Sequence, residues 1–340
     1  MVTTFKSTVQ IGPVEIGDRW PAPIVAEIGG NHGGRLELAL QMIDAAQGAG
    51  ARAVKFQIYD PASFLSKDSA YYSELAAEQL KPAQWPAVWS HAQEKGLICL
   101  ASVFDFVSLE IVARLDCPAV KIASGDLNNF PLLEAAADLN RPIILSSGAG
   151  EQDEVDQALD FLAHLGVEQL ILMQCTALYP CPDDEVNLSV ISTWRKRYGL
   201  PIGFSDHSPG VEIPLGALSL GASLVEKHFT TDRALPGGDN AMSCLPSELA
   251  FLVHGAERLA FARGRAEKHP TAGERPIRPA IRRSIVAARP VKAGETLSCE
   301  NLALKRPGLG LAPAEYYRLL GRTASMDLAE DEPFTWEKVV

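Results

Sequence analysis

Short apolar runs alternate with amphipathic stretches through most of this chain. Each run is two to four residues long and mainly apolar, as expected of a strand that is covered on both faces of a parallel sheet. The runs predict eight strands, at Ile24 to Ala26, Ala53 to Phe56, Ile98 to Ala101, Ala119 to Ile122, Ile143 to Leu145, Leu170 to Met173, Ile202 to Phe204 and Leu224 to Val225.

The stretches between these runs carry apolar residues at helical spacing. They predict helices at Leu36 to Gln47, Gln84 to Lys95, Leu132 to Leu139, Glu151 to Leu165, Ser189 to Tyr198 and Pro246 to Ala262. Strand–helix units in this order predict an α/β fold, a (β/α)8 TIM barrel. A doubly wound open sheet is the alternative. It needs only about five or six strands and a glycine-rich phosphate turn after the first, and neither fits well.

Two shorter segments flank the first predicted strand. Val9 to Gly17 alternates apolar and polar residues about a Gly-Pro turn and predicts an N-terminal β-hairpin that plugs one end of the barrel. Gly29 to Gly34 is rich in glycine but matches neither a dinucleotide-binding motif nor a P-loop. It therefore predicts a tight loop between a strand and a helix.

The chain changes character near residue 267. Residues 267–283 combine proline, glycine and charge without periodicity, which predicts an extended, non-helical linker after a barrel domain at 1–266. Residues 284–340 return to short strands, predicted at Ser284 to Ala288, Val291 to Leu297 and Leu302 to Leu304. A domain this small has a thin core, so we expect it to dock on a barrel, its own or that of another subunit.

Composition narrows the range of partners. The chain has 340 residues, of which 47% are hydrophobic and 21% charged, and its formal net charge is -11. Nucleic acid or an anionic membrane surface calls for a basic face, so neither is expected as a partner. A small anionic substrate is compatible with this charge, because a site can be locally basic inside an acidic protein.

No segment predicts export or a membrane span. No apolar run approaches the ~20 residues of a membrane helix, and Met1 to Lys6 lacks the apolar core of a signal peptide. The six cysteines have no metal-site spacing and most lie in apolar surroundings, which predicts reduced thiols in a cytoplasmic protein. Cys181, next to a Tyr-Pro pair, is the one candidate for chemistry among them.

Polar residues follow nearly every predicted strand. In a TIM barrel the carboxyl ends of the strands meet at one rim, and that rim carries the chemistry. In strand order the candidates are Glu27, Asn31 and His32; Lys55 and Gln57; Ser102; Lys121, Ser124 and Asp126; Ser146 and Ser147; Gln174, Cys175, Thr176 and Tyr179; Ser205, Asp206 and His207; and Glu226, Lys227 and His228, with Asp239 in the next loop.

Two features of this rim indicate a reaction. His207 and His228 follow successive strands, and two imidazoles at one rim can hold a divalent metal with positions open for substrate oxygen. Lys55 and Lys121 leave their strands next to the core, where a lysine requires an anionic partner. With several serines they predict a site for a small phosphorylated carboxylate, beside a metal that activates a carbonyl near Glu27. For any single serine, a solvated rim residue is the simpler interpretation.

Ordered motifs resemble the sialic acid (N-acetylneuraminate) synthase family, which includes legionaminic and pseudaminic acid synthases and spore coat polysaccharide biosynthesis protein E-type proteins. They are Ile24-Val25-Ala26-Glu27-Ile28-Gly29-Gly30-Asn31-His32, Val54-Lys55-Phe56-Gln57, Val120-Lys121-Ile122-Ala123-Ser124-Gly125-Asp126, Leu145-Ser146-Ser147-Gly148, Cys175-Thr176-Ala177-Leu178-Tyr179-Pro180, Gly203-Phe204-Ser205-Asp206-His207 and Glu226-Lys227-His228-Phe229. Arg283-Ser284-Ile285 and Lys305-Arg306-Pro307-Gly308 resemble the small C-terminal SAF domain (antifreeze-like, β-clip) of these synthases.

The resemblance implies condensation of phosphoenolpyruvate with an N-acylated hexosamine of the mannosamine type, which yields a nine-carbon 2-keto acid and phosphate. It implies that His207 and His228 bind Mn²⁺ or Mg²⁺ and that Glu27 is the general acid or base. Phosphoenolpyruvate is assigned to Lys55, Ser102, Lys121, Ser124, Ser146 and Ser205, and the sugar to Gln57, Tyr179, Asp239 and Arg306. Because Arg306 matches an arginine that reaches the partner subunit's active site, a domain-swapped homodimer is implied.

Three positions depart from the family pattern. Ala177 stands where many members carry a small hydroxyl side chain, Val103 replaces an expected proline, and Ile58 is more apolar than the usual residue. These changes suggest a less polar acceptor, such as a 6-deoxy diacetamido sugar. Two alternatives stay open. One is a 3-deoxy-2-ketoacid-phosphate synthase, which would lack the SAF domain. The other is a non-catalytic sugar-binding homologue, which would not require Glu27, the lysines and the histidines together.

Overall fold

The computed structural model describes residues 5–340, so Met1 to Thr4, part of the segment in which no signal peptide is predicted, lies outside the described residues. Eight parallel strands form a closed barrel, which confirms the predicted TIM barrel. In chain order the strands are the hairpin strands β1 (Thr8–Ile11) and β2 (Val14–Gly17), and then the barrel strands β3 (Ile24–Gly29), β4 (Ala53–Ile58), β5 (Ile98–Val103), β6 (Val120–Ile122), β7 (Ile143–Ser146), β8 (Leu170–Cys175), β9 (Ile202–Asp206) and β10 (Val225–His228).

Strand β10 pairs with both β9 and β3 and so closes the ring. Most barrel strands run further toward their carboxyl ends than the apolar runs predict, because the polar residues that follow stay in the extended ladder. Glu27, for example, pairs in register with His228 across β3 and β10. Most of the functional side chains are therefore held by the sheet itself, while Ser124, Tyr179 and His207 lie just beyond the strand ends.

Helices connect the barrel strands, and most of them cover the outside of the barrel. They are α1 (Leu36–Gly48), α2 (Pro61–Phe64), α3 (Tyr72–Glu78), α4 (Trp85–Glu94), α5 (Phe106–Arg114), α6 (Phe130–Ala137), α7 (Gln152–His164), α8 (Ser189–Tyr198), α9 (Glu212–Leu220) and α10 (Pro246–Arg263). Helix α7 shows why they pack. Val155, Ala158, Leu159 and Leu162 recur at helical spacing and are buried against the strands, which removes their apolar surface from water.

The hairpin lies at the amino-terminal end of the barrel. Val9, Ile11 and Ile16 are buried in the barrel core. The Gln10 amide donates to the side chain of Gln169, just before β8, and Gly12 lies against Ile98 at the start of β5. These contacts confirm that the hairpin plugs one end and leave the opposite end of the barrel for the site.

The chain folds into two compact units, and the boundary between them lies between Gly264 and Arg265. The second unit has a small apolar core of its own. This unit contains α11 (Glu274–Ile281), β11 (Ser284–Ala287), β12 (Leu302–Lys305) and α12 (Tyr316–Leu319). The prediction of a non-helical segment at 267–283 is wrong. At the start of helix α11, Thr271 and Glu274 form a reciprocal pair of hydrogen bonds. Thr271 N donates to Glu274 Oε2 over 2.8 Å, and Glu274 N donates to the Thr271 hydroxyl oxygen over 3.2 Å.

One predicted strand of the second unit does not form. Val291 to Leu297 makes only isolated bridges, from Val291 to Leu328 and from Thr296 to Thr323. Gly294, with a φ of +84°, turns the backbone between them and interrupts the extended conformation. Strand β11 pairs with β12 in the predicted region. Over residues 5–340, every helix is too short or too polar to cross a bilayer.

We expect Gly34→Ala to destabilise the barrel by about 1–3 kcal/mol. Gly34 has a φ of +70°, and an added Cβ would lie 2.8 Å from the Ala77 carbonyl oxygen. Gly48→Ala is the matched control, since no atom lies within 4 Å of its added Cβ. Urea unfolding of both variants measures the difference, and equal stabilities would contradict the predicted strain.

Candidate active site

The carboxyl ends of the barrel strands surround a cavity of about 280 Å³. Eleven of the thirteen predicted site residues line it, namely Glu27, Lys55, Gln57, Ser102, Lys121, Ser124, Ser146, Tyr179, Ser205, His207 and His228. Of the other strand-end candidates, Asp126, Cys175 and Glu226 also line the cavity. This placement follows from strand alternation, because every second residue of a barrel strand faces inward.

Lys55 is the most heavily paired charge in the cavity. Its Nζ lies 2.7 Å from Glu27 Oε2 and 3.5 Å from Glu226 Oε1, and it donates to Ser102 Oγ over 2.7 Å. All three charged side chains are buried. Burial opposes the charge of Lys55, but the two carboxylates outweigh it and raise the pKa of the lysine. The anionic partner that a buried lysine requires is thus supplied by the chain itself.

Lys121 is placed differently. Its Nζ donates to Ser146 Oγ over 2.7 Å and lies 3.4 Å from the carbonyl oxygen of Ile122. It makes no ion pair with a carboxylate in the described part of the chain. Burial lowers the pKa of Lys121, which means that the cavity is short of negative charge at this point. An anion entering the cavity would supply that charge.

Glu27 and Glu226 share Lys55 but differ in their proton affinity. Burial raises the pKa of Glu27 from 4.5 to about 7, against the opposing effect of Lys55. The pKa of Glu226 is lowered, because Lys121, Lys55 and the Ser205 hydroxyl together outweigh its burial. One carboxyl is therefore poised to exchange a proton near neutral pH, while the other stays ionised.

His207 and His228 lie next to each other in the cavity lining, with their ring planes inclined by 57°. Their ring centroids are 5.3 Å apart, and the Tyr179 ring stacks on His207 at 4.1 Å. His207 Nδ1 lies 2.7 Å from the Thr176 carbonyl oxygen and donates to it, which leaves Nε2 as the lone-pair nitrogen. Burial lowers the pKa of His207, but hydrogen bonds to the Cys175 thiol and Thr176 outweigh it and raise the pKa overall.

Burial lowers the pKa of His228 well below its usual value, and the neighbouring cations add to the effect. The ring is therefore neutral, as a metal ligand requires. Its Nδ1 is buried without a hydrogen-bond partner, and Asp239 Oδ2 lies 3.4 Å from it, a contact and not a charged pair. The Asp239 loop is fixed by Asn31, whose side-chain oxygen accepts from the Asp239 amide.

The hydroxyl groups complete the floor and wall of the cavity. Ser205 Oγ donates to Glu226, while Ser124 Oγ accepts from the Gly148 amide over 3.0 Å. An added Cβ at Gly148 would lie 2.7 Å from that Ser124 oxygen. The strand-end residue Ser147, by contrast, faces away from the cavity and donates to the Met173 carbonyl.

Sequence reasoning named Glu226 and Cys175 among the strand-end candidates without giving either a role in the site, and it missed Phe64 and Phe104. Glu226 had a recoverable signal, since it stands two positions before His228 on one strand and so shares its face. Cys175, and not Cys181, brings a thiol into the cavity. Phe64 and Phe104 form an aromatic wall, with ring centroids 4.8 Å apart, in which Phe64 comes from the end of α2 and Phe104 directly follows β5.

Only one of the three departures from the family pattern lines the cavity. Ala177 lines the cavity, but Ile58 and Val103 are fully buried in the barrel and do not. The last two therefore cannot contact an acceptor, and the interpretation that they make the site less polar is wrong. Arg306 lies in the second unit, where it is exposed, and its role stays a prediction.

This fold, with a charged cavity at the carboxyl ends of its strands, defines a (β/α)8-barrel enzyme. The chain belongs to the NeuB family, whose model matches residues 42–268, and a SAF domain follows at residues 282–340. Both matches confirm the resemblance noted in the motifs.

Characterised relatives span nearly the whole chain. The N,N'-diacetyllegionaminic acid synthase of Legionella pneumophila is 34% identical over 334 residues, which cover 93% of this chain and 94% of that protein. The N-acetylneuraminate-9-phosphate synthase of Mus musculus is 32% identical over 339 residues, 95% of this chain and 94% of that protein.

A solved structure shows the same similarity. It is the N-acetylneuraminic acid (sialic acid) synthetase from Leptospira borgpetersenii, which superimposes with a TM-score of 0.76 at 37% identity. The match covers 79% of this chain and 94% of that one.

We expect Glu27→Gln to flatten the dependence of stability on pH. A carboxyl whose pKa rises from 4.5 to about 7 on folding stabilises the protein fully below pH 4.5 and loses that contribution as pH rises through 7. The loss amounts to about 3 kcal/mol. Urea unfolding at pH 5 and pH 8 measures it, with the exposed Glu110→Gln as control. An unchanged slope in Glu27→Gln would contradict the assignment.

Proposed function

We propose that this chain condenses phosphoenolpyruvate with an N-acylated mannosamine-type sugar, giving a sialic-acid-like nonulosonic acid and phosphate. One observation carries the proposal. A single cavity places Lys121, which lacks an ion-pair partner among the described residues, beside a carboxyl with a pKa of about 7 and two neighbouring imidazoles. The relatives, a synthase of N,N'-diacetyllegionaminic acid and a synthase of N-acetylneuraminate 9-phosphate, support the same reaction class.

The lysines and serines account for recognition of an enol phosphate. Lys121 and Ser146 form a cation–hydroxyl pair that a phosphate or carboxylate group can join without displacing an internal ion pair. Ser124 and the Gly148 amide lie next to it. Lys55 stays paired with its own two carboxyl groups and donates to Ser102, which also lines the cavity. Phosphoenolpyruvate would thus bring its negative charge to the point where the cavity lacks it.

Glu27 is the group that moves a proton. Carbon–carbon bond formation builds negative charge on the former aldehyde oxygen and positive charge at the enol carbon. A carboxyl with a pKa of about 7 can protonate the oxygen or, once ionised, accept a proton from the attacking water. Holding both substrates aligned in one cavity removes a further entropic barrier, worth up to about 7–11 kcal/mol in well-oriented systems.

His207 and His228 would hold the divalent cation, Mn²⁺ or Mg²⁺. Three features fit such a ligand pair. His228 is neutral and its Nδ1 has no hydrogen-bond partner. The hydrogen bond from His207 Nδ1 leaves the lone pair of its Nε2 available. Among residues 5–340 no group of three or more metal-binding side chains is assembled, so substrate or water oxygens would complete the coordination. When bound, the cation supplies Lewis-acid polarisation of the aldehyde.

The acceptor sugar would lie on the side of Gln57, Tyr179 and Asp239. Phe64 and Phe104 add an apolar surface to this polar region, which suits the C–H face of a sugar or the methyl of an acyl group. The relatives include synthases of both a diacetamido and a phosphorylated product, so the acceptor panel below contains an unphosphorylated diacetamido sugar and a phosphorylated hexosamine.

A homodimer in which Arg306 completes a partner's site is part of the proposal. The two units differ in charge, since residues 1–264 carry 18 basic and 32 acidic side chains and residues 265–340 carry 13 basic and 10 acidic ones. Opposite net charges favour association between the second unit of one copy and the barrel of another. The SAF match at residues 282–340 also favours this function over a 3-deoxy-2-ketoacid-phosphate synthase, for which no such domain is expected.

We expect the parent chain to release phosphate from phosphoenolpyruvate only when Mn²⁺ and an acceptor are present. An acceptor panel of N-acetylmannosamine, its 6-phosphate and a 2,4-diacetamido-trideoxyhexose identifies the substrate. His207→Ala and His228→Ala should abolish the metal-dependent release, because each removes one of two protein ligands. His91→Ala, on the outer helix α4, is the control. Unchanged turnover in either site variant would remove the metal-site hypothesis.

We expect Arg306→Ala to raise the KM for the sugar at least tenfold while the KM for phosphoenolpyruvate changes less than threefold. The reason is that Arg306 is assigned to the sugar and the barrel lysines to phosphoenolpyruvate. Arg289→Ala, an exposed arginine paired with Glu295 in the same unit, is the control. Equal effects on both KM values would contradict the role given to Arg306.

A further inference from the structure

A buried ion pair behind the two histidines has no part in the proposed reaction. Lys227 Nζ lies 2.6 Å from Asp206 Oδ2, and each side chain is 1% exposed. Neither residue lines the cavity, although the residues that flank each of them do. Since side chains alternate along a strand, the pair lies on the outer face of β9 and β10, under the helices.

Ser208 ties this pair to the backbone that carries His207. Asp206 Oδ1 accepts from both the Ser208 amide, over 3.0 Å, and the Ser208 hydroxyl, over 2.7 Å. Lys227 Nζ donates to the Ser208 carbonyl oxygen. Every polar group of Ser208 is therefore bound, and His207 is held between Asp206 on one side and Ser208 on the other.

The same network reaches the second imidazole. Asp206 and Lys227 are direct partners in the β9–β10 ladder, and His228 is the residue after Lys227. The backbone after each histidine is fixed as well, since the His207 carbonyl accepts from the Cys181 amide and the His228 carbonyl accepts from the Cys244 amide. The network thus spans the two strand ends whose rings lie 5.3 Å apart.

Stability alone does not account for this arrangement. Two charges buried in a helix–sheet layer lose their hydration, and a well-packed apolar pair of similar size is often as stable or more so. An apolar pair, however, could not bind the three polar groups of Ser208. What the ion pair adds is a fixed geometry of the two strand ends.

We propose that Asp206, Lys227 and Ser208 are positioning residues that set the separation and orientation of the His207 and His228 rings, and so the affinity of the site for a divalent cation. The inference rests on the proposed function, in which those rings hold the metal. Partners that orient metal ligands typically contribute 10–100-fold in metal affinity. In this proposal the three residues do not contact the metal and act through the backbone that carries its two ligands.

The test measures Mn²⁺ binding to the full-length, metal-stripped chain by the electron paramagnetic resonance signal of free Mn²⁺, without substrates. Asp206→Leu/Lys227→Met replaces the pair with apolar groups, and Ser208→Ala removes one hydroxyl contact while it keeps the pair. Lys6→Met/Glu168→Gln is the matched control, because that ion pair has the same 2.6 Å length but is exposed. Circular dichroism and thermal unfolding without metal show that each variant is folded.

We expect the double variant to raise the Kd for Mn²⁺ at least tenfold and Ser208→Ala to raise it about three- to tenfold, with the control unchanged. The kcat should fall with the Kd, while the KM for phosphoenolpyruvate changes less than threefold, since Lys55 and Lys121 are untouched. A folded double variant with the parent's Kd overturns the inference. If the double variant does not fold, an unchanged Kd in Ser208→Ala overturns it. A parent that binds no Mn²⁺ overturns the metal site itself.

Discussion

Lys55, buried between two carboxyl groups, is the interaction on which the chemistry of this barrel depends. Its Nζ lies 2.7 Å from Glu27 and 3.5 Å from Glu226, and none of the three reaches solvent. Removing one partner of such a group costs about 3–5 kcal/mol, because a charge is left buried without compensation. One lysine cannot fully compensate two buried carboxylates, so one of the two carboxyl groups, Glu27, keeps a raised pKa. The proton that Glu27 can hold near neutral pH is the one that the proposed reaction uses.

Closure of the barrel makes this charge arrangement possible. A parallel strand that is covered on both faces has an inner and an outer set of side chains, and the two sets have different functions here. The inner set supplies lysines, serines, carboxylates and imidazoles to one cavity. The outer set is mainly apolar, and it includes the pair of Asp206 and Lys227 behind the histidines. The same alternation therefore separates the groups that meet substrates from the groups that hold them in place.

The C-terminal unit differs from the barrel in its core and in its charge. It has a core of few residues, among them Ile285, Leu297 and Phe334, and most of its backbone is joined by isolated bridges and turns. Its charge is opposite in sign to that of the barrel. A core this small contributes little stability, so the unit is marginal by itself.

The sequence by itself determined the barrel, its hairpin and eleven residues of the cavity, because strand periodicity and parallel topology bring strand ends to one rim whatever the details of packing. It also carried signals that were not used, such as the two-residue spacing of Glu226 and His228 and the capping pair Thr271 and Glu274. Tertiary structure alone decided which carboxyl takes the proton and that Phe64 meets Phe104. Those outcomes depend on burial and on contacts between distant segments, and neither quantity is written in local sequence.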